Sequence, residues 1–526
     1  MQTLRPDVIL TNARIHPQAT AAVSATGLAI AGEQVLACGE GQTLRSLAAS
    51  GTDVIDLGGR AVLPGLIDAH IHLELYALSL ERLDCETAAI DTCLQTVAER
   101  AKAIPPGTWI LGHGWNQNVW GRYGTLAELD RAAPHHPVYL TAKSLHAAWA
   151  NSSALAIAHL SAESSDPPGG TLGRDHAGAL NGLLFESAAA LVAERLPRPT
   201  AESLAASLRS AQNQLWAFGI TGIHDFDGAR CLSALQLLRE SGQLGLRVLK
   251  HLQLESLRPA LDLGLRSGFG DDWLRLGNLK LFADGALGPR TAAMIEDYDQ
   301  DPGNRGQLLL DAEAITETGG LARAGGIALA IHAIGDLANH HALQAVTRLT
   351  QTGRAPALPD RIEHLQVLHP DDFQIAAAAG VVASMQPIHA PSDQAMAVRH
   401  WGRRTAHAYA WKSFSSLGVP LAFGSDAPVE SPNPFWGLHA AITRQRPGEE
   451  AWHPEQALDL ETAVQAYTTG PARAAGMGGR QGTLTPGSLA DLIVLESDPF
   501  EAAPDRIREL QPVGVMVGGR WRVQKF

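Results

Sequence analysis

Through the middle of this 526-residue chain, short apolar runs alternate with helix-like stretches, and several of the runs end in a histidine or an acid. That alternation is the pattern of a parallel sheet, whose neighbouring strands are joined by helical crossovers. The runs cover 61–66, 137–141, 219–225, 276–282, 327–332, 361–364, 381–385 and 419–426. Eight such runs separated by helical stretches predict a (β/α)8 barrel of the TIM type, an α/β fold whose active site lies at the C-terminal ends of the strands. The stretch 75–215 is longer than two βα units require, so it is read as an insertion that roofs the site.

The two ends of the chain have a different texture. Short strands separated by Gly and Asn fill residues 1–60, and 480–526 repeats that pattern. Neither end is large enough for a robust core by itself. The expectation is a discontinuous β-sandwich-like domain made of 1–60 and 480–526, beside a barrel spanning 61–479.

Composition narrows the class of partner. Hydrophobic residues make up 45% of the chain and the net charge is −13, which fits a globular protein and opposes a nucleic-acid or anionic-membrane surface. The four cysteines are far apart, with no Cys-x-x-Cys, so neither a zinc knuckle nor a disulfide framework is expected. The N-terminus lacks a cationic start followed by an apolar core, and no apolar stretch reaches the ~18 residues of a membrane span. A cytoplasmic location is expected; a homo-oligomer is compatible with the sequence.

His70-Ile71-His72 follows the first apolar run. Residues i and i+2 of a strand share a face, so both imidazoles would project together, as half of a transition-metal site does. By itself the pair also fits one packed histidine and one hydrogen-bonding histidine. Lys280, His332, His364 and Asp426 fall at or near the ends of later runs. Capping or packing roles do not explain why all of these follow apolar strands, whereas a metal site does.

The segments Gly65-Leu66-Ile67-Asp68-Ala69-His70-Ile71-His72, His332-Ala333-Ile334-Gly335-Asp336, Ile362-Glu363-His364 and Gly424-Ser425-Asp426-Ala427-Pro428-Val429 resemble the amidohydrolase superfamily of metal-dependent hydrolases. The C-terminal segment 482–494 is similar to that family's closing β-segment. Lys280-Leu281-Phe282-Ala283-Asp284-Gly285-Ala286, Gly112-His113-Gly114-Trp115 and His146-Ala147-Ala148-Trp149-Ala150-Asn151 resemble more narrowly the branch, within amidohydrolase family 3, that contains N-substituted formamide deformylases.

The resemblance implies roles. His70, His72 and Asp426 would bind one metal, and His332 and His364 a second. Lys280 would bridge them as a carbamate formed with CO2. An ammonium repels a cation, whereas a carbamylated lysine is a carboxylate able to join two ions. Zn2+, two per chain, is the expected metal, with other divalent ions as alternatives. Glu186 is a rival acidic ligand, and with it a single metal could suffice; a salt bridge at the barrel mouth is the plain alternative for Lys280.

Bound zinc lowers the pKa of its water toward ~7 and polarises a scissile carbonyl. Asp426 would take that water's proton and later deliver it to the leaving nitrogen, as general base and then acid. Asp68, Glu363 or Asp336 would accept the outer N–H of a ligand histidine, with a helix cap or a solvated loop as the alternative for each. Candidate substrate contacts are Trp115 and His146 in the insertion, beside Asn116 and Trp120, and Asp284, Arg290 and Thr291 after the fourth run; Glu186 joins them if it is not a ligand. His224, at the same face at the end of the third run, is a further candidate for substrate contact, with a supporting role behind the ligands as its alternative. His135, His136, His340 and His341 lie in a turn and on a helix and are expected to be solvated. The 169–174 segment lacks the Lys-Ser/Thr ending of a phosphate loop.

The activity expected is hydrolysis of an amide, N-substituted formamide or cyclic amide in a small molecule. Ester, lactone or carbamate hydrolysis is the alternative on the same site. A catalytically silent regulatory or binding relative is a third reading, opposed by the intact ligand set.

Overall fold

The computed structural model describes residues 5–143, 147–352 and 355–526. The chain divides into two compact units, one formed by Met1–Tyr76 and Ala201–Phe526, the other by Ala77–Thr200.

In the first unit the chain ends build two sheets. One has four strands, Gln34–Gly39, Gly27–Ala31, Val8–Thr11 and Asp53–Asp56 in spatial order. The other has five: Arg14–Ile15, Ala61–Pro64, Leu492–Leu495, Pro512–Val517 and Arg520–Gln524. Leu10, Leu28 and Ile30 from the first sheet share one apolar core with Val62, Leu492, Val494 and Met516 from the second. Apolar side chains of two facing sheets thus bury one another, as a sandwich requires.

The same unit holds an eight-stranded parallel sheet, which we number in chain order: β1 (Leu66–Ile71), β2 (Ile220–Asp225), β3 (Arg247–Leu252), β4 (Leu274–Phe282), β5 (Leu329–Ala333), β6 (Arg361–His364), β7 (Val382–Met385) and β8 (Leu421–Phe423). Each strand pairs with its sequential neighbour in parallel. Beyond the last ladder, Asp426 N donates to His70 O at 2.7 Å and His72 N donates to Ala427 O at 2.9 Å, which joins β8 to β1. The fold is a TIM-type barrel.

Two of the expected barrel strands are corrected. The run 61–66 serves two sheets: Ala61–Pro64 pairs with Leu492–Leu495 in the sandwich, and the barrel strand begins at Leu66. Gly65 makes the break between them. A Cβ at Gly65 would lie 2.2 Å from Thr221 Oγ1 on β2, so only glycine permits this approach. The run 137–141 belongs to the second unit. Its place in the barrel is taken by Arg247–Leu252, which carries charged residues and so does not read as an apolar strand.

The second unit is a six-stranded mixed sheet, ordered Gly170–Arg174, Leu180–Glu186, Ala147–Ala150, Val138–Ala142, Ile110–Trp115 and Leu83–Asp84. Helices Ile90–Ala103 and Leu126–Ala132 contribute Cys93, Val97 and Leu129 to a core that includes Trp115 and Trp149. All four cysteines are free. Among the described residues no helix is long and apolar enough to cross a membrane.

Candidate metal centre

Every residue of β1 is buried, and the strand ends where the barrel opens. His70 is the fifth residue of β1 and His72 is the residue after its end, so the two imidazoles emerge on one side. His70 Nε2 lies 3.5 Å from Asp426 Oδ1, and His72 Nε2 lies 3.4 Å from the same oxygen. Ligand atoms of these three residues all fall within 4.8 Å of one another.

The outer nitrogens are also engaged. His70 Nδ1 is 2.6 Å from Glu363 Oε2, and His72 Nδ1 is 3.1 Å from Asp227 Oδ1. Each imidazole therefore places Nδ1–H against a carboxylate and turns its Nε2 lone pair toward Asp426. Outer-shell carboxylates of this kind fix the tautomer and raise the basicity of a histidine ligand.

Asp426 sits in the loop after β8 with φ +59°, a left-handed conformation that few residues outside glycine adopt. Its position is fixed by a latch from β1. Asp68 accepts from His70 N at 3.0 Å, from Ser425 N at 3.0 Å and from Ser425 Oγ at 2.5 Å. A Cβ on Gly424 would lie 2.3 Å from His70 N, so the closing strand reaches β1 through a glycine.

Three further residues extend the cluster. His364 ends β6, also left-handed at φ +76°, with Nδ1 2.8 Å from Gln386 Oε1. His332 Nε2 is 2.9 Å from Gly285 O, which leaves its Nδ1 lone pair unspent on that bond. The ring centroids of His332 and His364 are 4.6 Å apart, and those of His364 and His70 4.9 Å. Lys280 on β4 is buried, its Nζ 4.6 Å from the Phe226 ring centroid.

Burial sets the protonation of this group. It holds His70 and His364 well below the ordinary imidazole range and His332 down to about 3, with the Lys280 charge acting in the same direction. Burial also brings Lys280 down to about 8, although Glu363 and Asp426 oppose it. Burial pushes Asp426 up. For His72, burial works downward but Asp227 outweighs it, and the pKa is raised. The neutral imidazoles of His70, His332 and His364 and the Asp426 carboxylate are groups that a divalent cation would take as ligands, and the free-amine form of Lys280 is the one that can react with CO2.

Behind these residues lies a charged layer inside the barrel. Arg361, fully buried on β6, donates from Nε to Glu363 Oε1 at 2.5 Å and from Nη2 to Ser384 Oγ at 2.6 Å. It also donates to Ala69 O at 2.7 Å and to His224 Nδ1 at 2.8 Å. Burial would raise the Glu363 pKa, but the Arg361 and Lys280 charges more than offset it and hold the carboxyl low. On the other flank Lys250 Nζ lies 2.8 Å from Asp225 Oδ2 and donates to Asp227 O. Asp227 Oδ2 accepts from Glu74 N at 2.5 Å. Asp225, Asp227 and Cys231 also lie close together, but the Lys250 ammonium is already seated on this acidic group.

The structure thus brings His70, His72, Lys280, His332, His364 and Asp426 to one end of the barrel. The expected acceptors are partly redistributed. Glu363 faces a histidine, whereas Asp68 forms the β1–β8 latch, and Asp336 accepts from Ile295 N at 2.8 Å and caps its own helix. Asp284 accepts from Ala293 N, Ile334 N and Gly335 N, so its oxygens tie loops together. Arg290 pairs with Asp301 at 2.6 Å, and His224 accepts from Arg361.

In the second unit, Trp115 is a core residue whose Nε1 donates to Leu140 O at 2.8 Å, and Glu186 is exposed at the end of its strand. His146 lies outside the described residues. His136, expected to be solvated, is instead buried with Nδ1 3.0 Å from Thr108 O. His340 pairs with Asp372, and His341 Nδ1 accepts from Ala312 N; side chains beside helix ends are recruited by local backbone and acid groups. Asp227, Lys250 and Arg361 were not singled out from sequence. Asp225-Phe226-Asp227, an acid pair closing an apolar strand, was the available signal for the first.

Residues 53–523 match the model of the amidohydrolase family, and the chain belongs to that family. Protein LONG AFTER FAR-RED 3 of Arabidopsis thaliana is 31% identical, over 94% of this chain and 88% of the plant protein. The N-substituted formamide deformylase of Arthrobacter pascens is 28% identical, over 99% of this chain and 98% of its own length. Among solved structures, an uncharacterized metal-dependent hydrolase from Pyrococcus furiosus superposes with a TM-score of 0.80 at 29% identity, covering 94% of this chain and 100% of the other.

Proposed function

We propose that this protein is a metal-dependent hydrolase that cleaves a C–N bond of a small organic molecule, an amide, an N-substituted formamide or a cyclic amide. The observation that carries the reading is the convergence of His70 Nε2 and His72 Nε2 on Asp426 Oδ1, with both outer nitrogens held by carboxylates. The donor set fits zinc, which favours imidazole and carboxylate ligands. His70, His72 and Asp426 would hold one ion. His332 and His364 would hold a second, with Lys280 between them as a carbamate.

When bound, the metal supplies a water of lowered pKa and polarises the scissile carbonyl. The protein's own residues do the rest. Asp426 takes the proton of the attacking water and returns it to the leaving nitrogen, a cycle that its burial favours by raising its pKa. The free amine of Lys280 attacks CO2, forms an N–C bond and sheds one proton, which is feasible near neutrality with a pKa of about 8. Glu363 and Asp227 hold the two imidazoles of the first strand in one tautomer and one orientation.

The test is a hydrolysis screen of the zinc-loaded protein with N-formyl and N-acyl amines, cyclic imides, lactones and simple esters. Turnover of the C–N compounds, lost in Asp426→Ala, is expected. Cleavage of esters and lactones alone would overturn the C–N assignment.

A further inference from the structure

Three buried polar side chains on the loops after β6 and β7 carry atoms with no hydrogen-bond partner among the described residues. They are Gln366 Oε1, Gln386 Nε2 and His389 Nε2. None of the three residues is more than 6% exposed. A buried polar atom left unpaired costs about 1–3 kcal/mol, so such atoms are rare and call for a reason.

Their placement gives one. Gln366 follows His364 by two residues, across a turn in which His364 and Leu365 both have positive φ, at +76° and +45°. Left-handed conformations in two consecutive residues are strained, and strain of this kind collects at working sites. Gln386 Oε1 accepts from His364 Nδ1 at 2.8 Å, which leaves its amide nitrogen beside that histidine without a partner among the described residues. His389 opens the helix His389–Trp401 just after β7 and packs on Gln366, with His389 Nδ1 3.5 Å from Gln366 Nε2.

The hydrogen-bond directions follow from that contact. Gln366 Nε2 donates toward His389 Nδ1, which places the imidazole proton on Nε2. The unpaired set is therefore one acceptor, Gln366 Oε1, and two donors, His389 Nε2–H and Gln386 Nε2–H. A secondary amide presents the complement, one N–H donor and one carbonyl acceptor.

We propose that Gln366 and His389 are specificity-determining residues that bind the substrate as a secondary amide. Gln366 Oε1 accepts from the scissile N–H, and His389 Nε2–H donates to the acyl oxygen. This rests on the hydrolase reading above and deepens it, because it selects secondary amides and formamides over esters, lactones and tertiary amides. A site built to pair with an N–H rejects an analogue that lacks it, since the acceptor is left buried and unpaired.

The test uses zinc-loaded full-length enzyme with the anilides of formic, acetic and benzoic acid, each paired with its N-methyl derivative. Wild type should favour the N–H member of the best pair by on the order of 10-fold or more in kcat/KM. Gln366→Leu should erase that preference by slowing the N–H compound much more than its N-methyl partner, with zinc content unchanged. Gln366→Glu, which keeps the acceptor, should restore most of it. His389→Phe should slow both members equally, and His389→Gln, which keeps a donor, should recover part of the loss. A preference that survives in Gln366→Leu, or an equal loss on both members of the pair, overturns the assignment of Gln366 while leaving the hydrolase reading standing. A zinc-replete wild type that cleaves other C–N compounds but none of the secondary anilides overturns the Gln366 and His389 assignment alone, and one that cleaves no C–N compound overturns both.

Discussion

The carboxylate of Glu363 stands between His70 and Arg361, with Oε2 2.6 Å from His70 Nδ1 and Oε1 2.5 Å from Arg361 Nε. One buried anion therefore orients a candidate ligand and balances the one fully buried guanidinium on β6. These two duties have separable energetic signatures.

Glu363→Gln should fail at both. It leaves Arg361 as an uncompensated buried charge, at a cost of about 3–5 kcal/mol. It also loosens His70, for a loss on the order of 10–100-fold in metal affinity. His70→Asn keeps the Arg361–Glu363 pair and should lose metal with a much smaller fall in stability. Urea denaturation of the metal-free proteins, set beside chelator competition, reads the two effects.

Asp227→Asn tests the other imidazole. His72 would lose its anionic acceptor, while Lys250 keeps Asp225 at 2.8 Å. Metal affinity should fall on the order of 10–100-fold with little change in the denaturation midpoint. Asp68→Asn should lower both metal affinity and the denaturation midpoint, because Asp68 latches Ser425 to β1 and so fixes the neighbouring Asp426.

The buried histidines make the metal-free protein acid-sensitive. His332 has a folded pKa of about 3, below its ordinary value of 6.5, so the unfolded chain takes the proton first. Its contribution to stability is present above 6.5 and is lost as pH falls toward 3, by up to ~1.4 kcal/mol per pH unit. Asp284, raised by burial to about 7, has the opposite sign: its contribution is present at low pH and is lost as pH rises through 7. The two partly cancel in the native protein. The stability difference between wild type and His332→Gln isolates the histidine and should shrink on acidification below 6.5. A difference that does not vary with pH would remove His332 from this account.

Lys280 should need CO2. Zinc reconstitution in CO2-depleted buffer should reach a lower metal content than in bicarbonate, and the intact mass of the bicarbonate-treated protein should carry a carboxyl adduct. Lys280→Ala should show no bicarbonate effect. Equal loading of wild type in both buffers would leave Lys280 as an uncharged amine or an ion-pair partner.

Much of this centre was legible in the sequence because its residues terminate apolar strands, and strand ends share one rim of a barrel. His70, His332, His364 and Asp426 could be found that way. The charged layer could not, because Asp227 reaches His72 across 155 positions of chain and Arg361 reaches His224 across 137. Strand β3 was missed for a related reason: Arg247 pairs with Asp491 at 2.6 Å and Lys250 with Asp225, so its polarity is satisfied inside the fold rather than in water. The run 137–141 was mistaken for a barrel strand because Val138–Ala142 pairs in parallel with Ile110–Trp115, and a buried parallel strand looks alike in either sheet. In 61–71 a single apolar run hid two strands, and only Gly65 marked the boundary.

The central claim, that His70, His72 and Asp426 hold a catalytic metal, is tested most directly by metal analysis joined to turnover. Protein produced with added zinc should carry stoichiometric metal, lose hydrolysis of its best amide on chelation, and regain it when zinc is returned; His72→Ala should neither hold that metal nor regain activity. Purified wild type with no stoichiometric transition metal, or amide hydrolysis that persists unchanged after the metal is stripped, would contradict it.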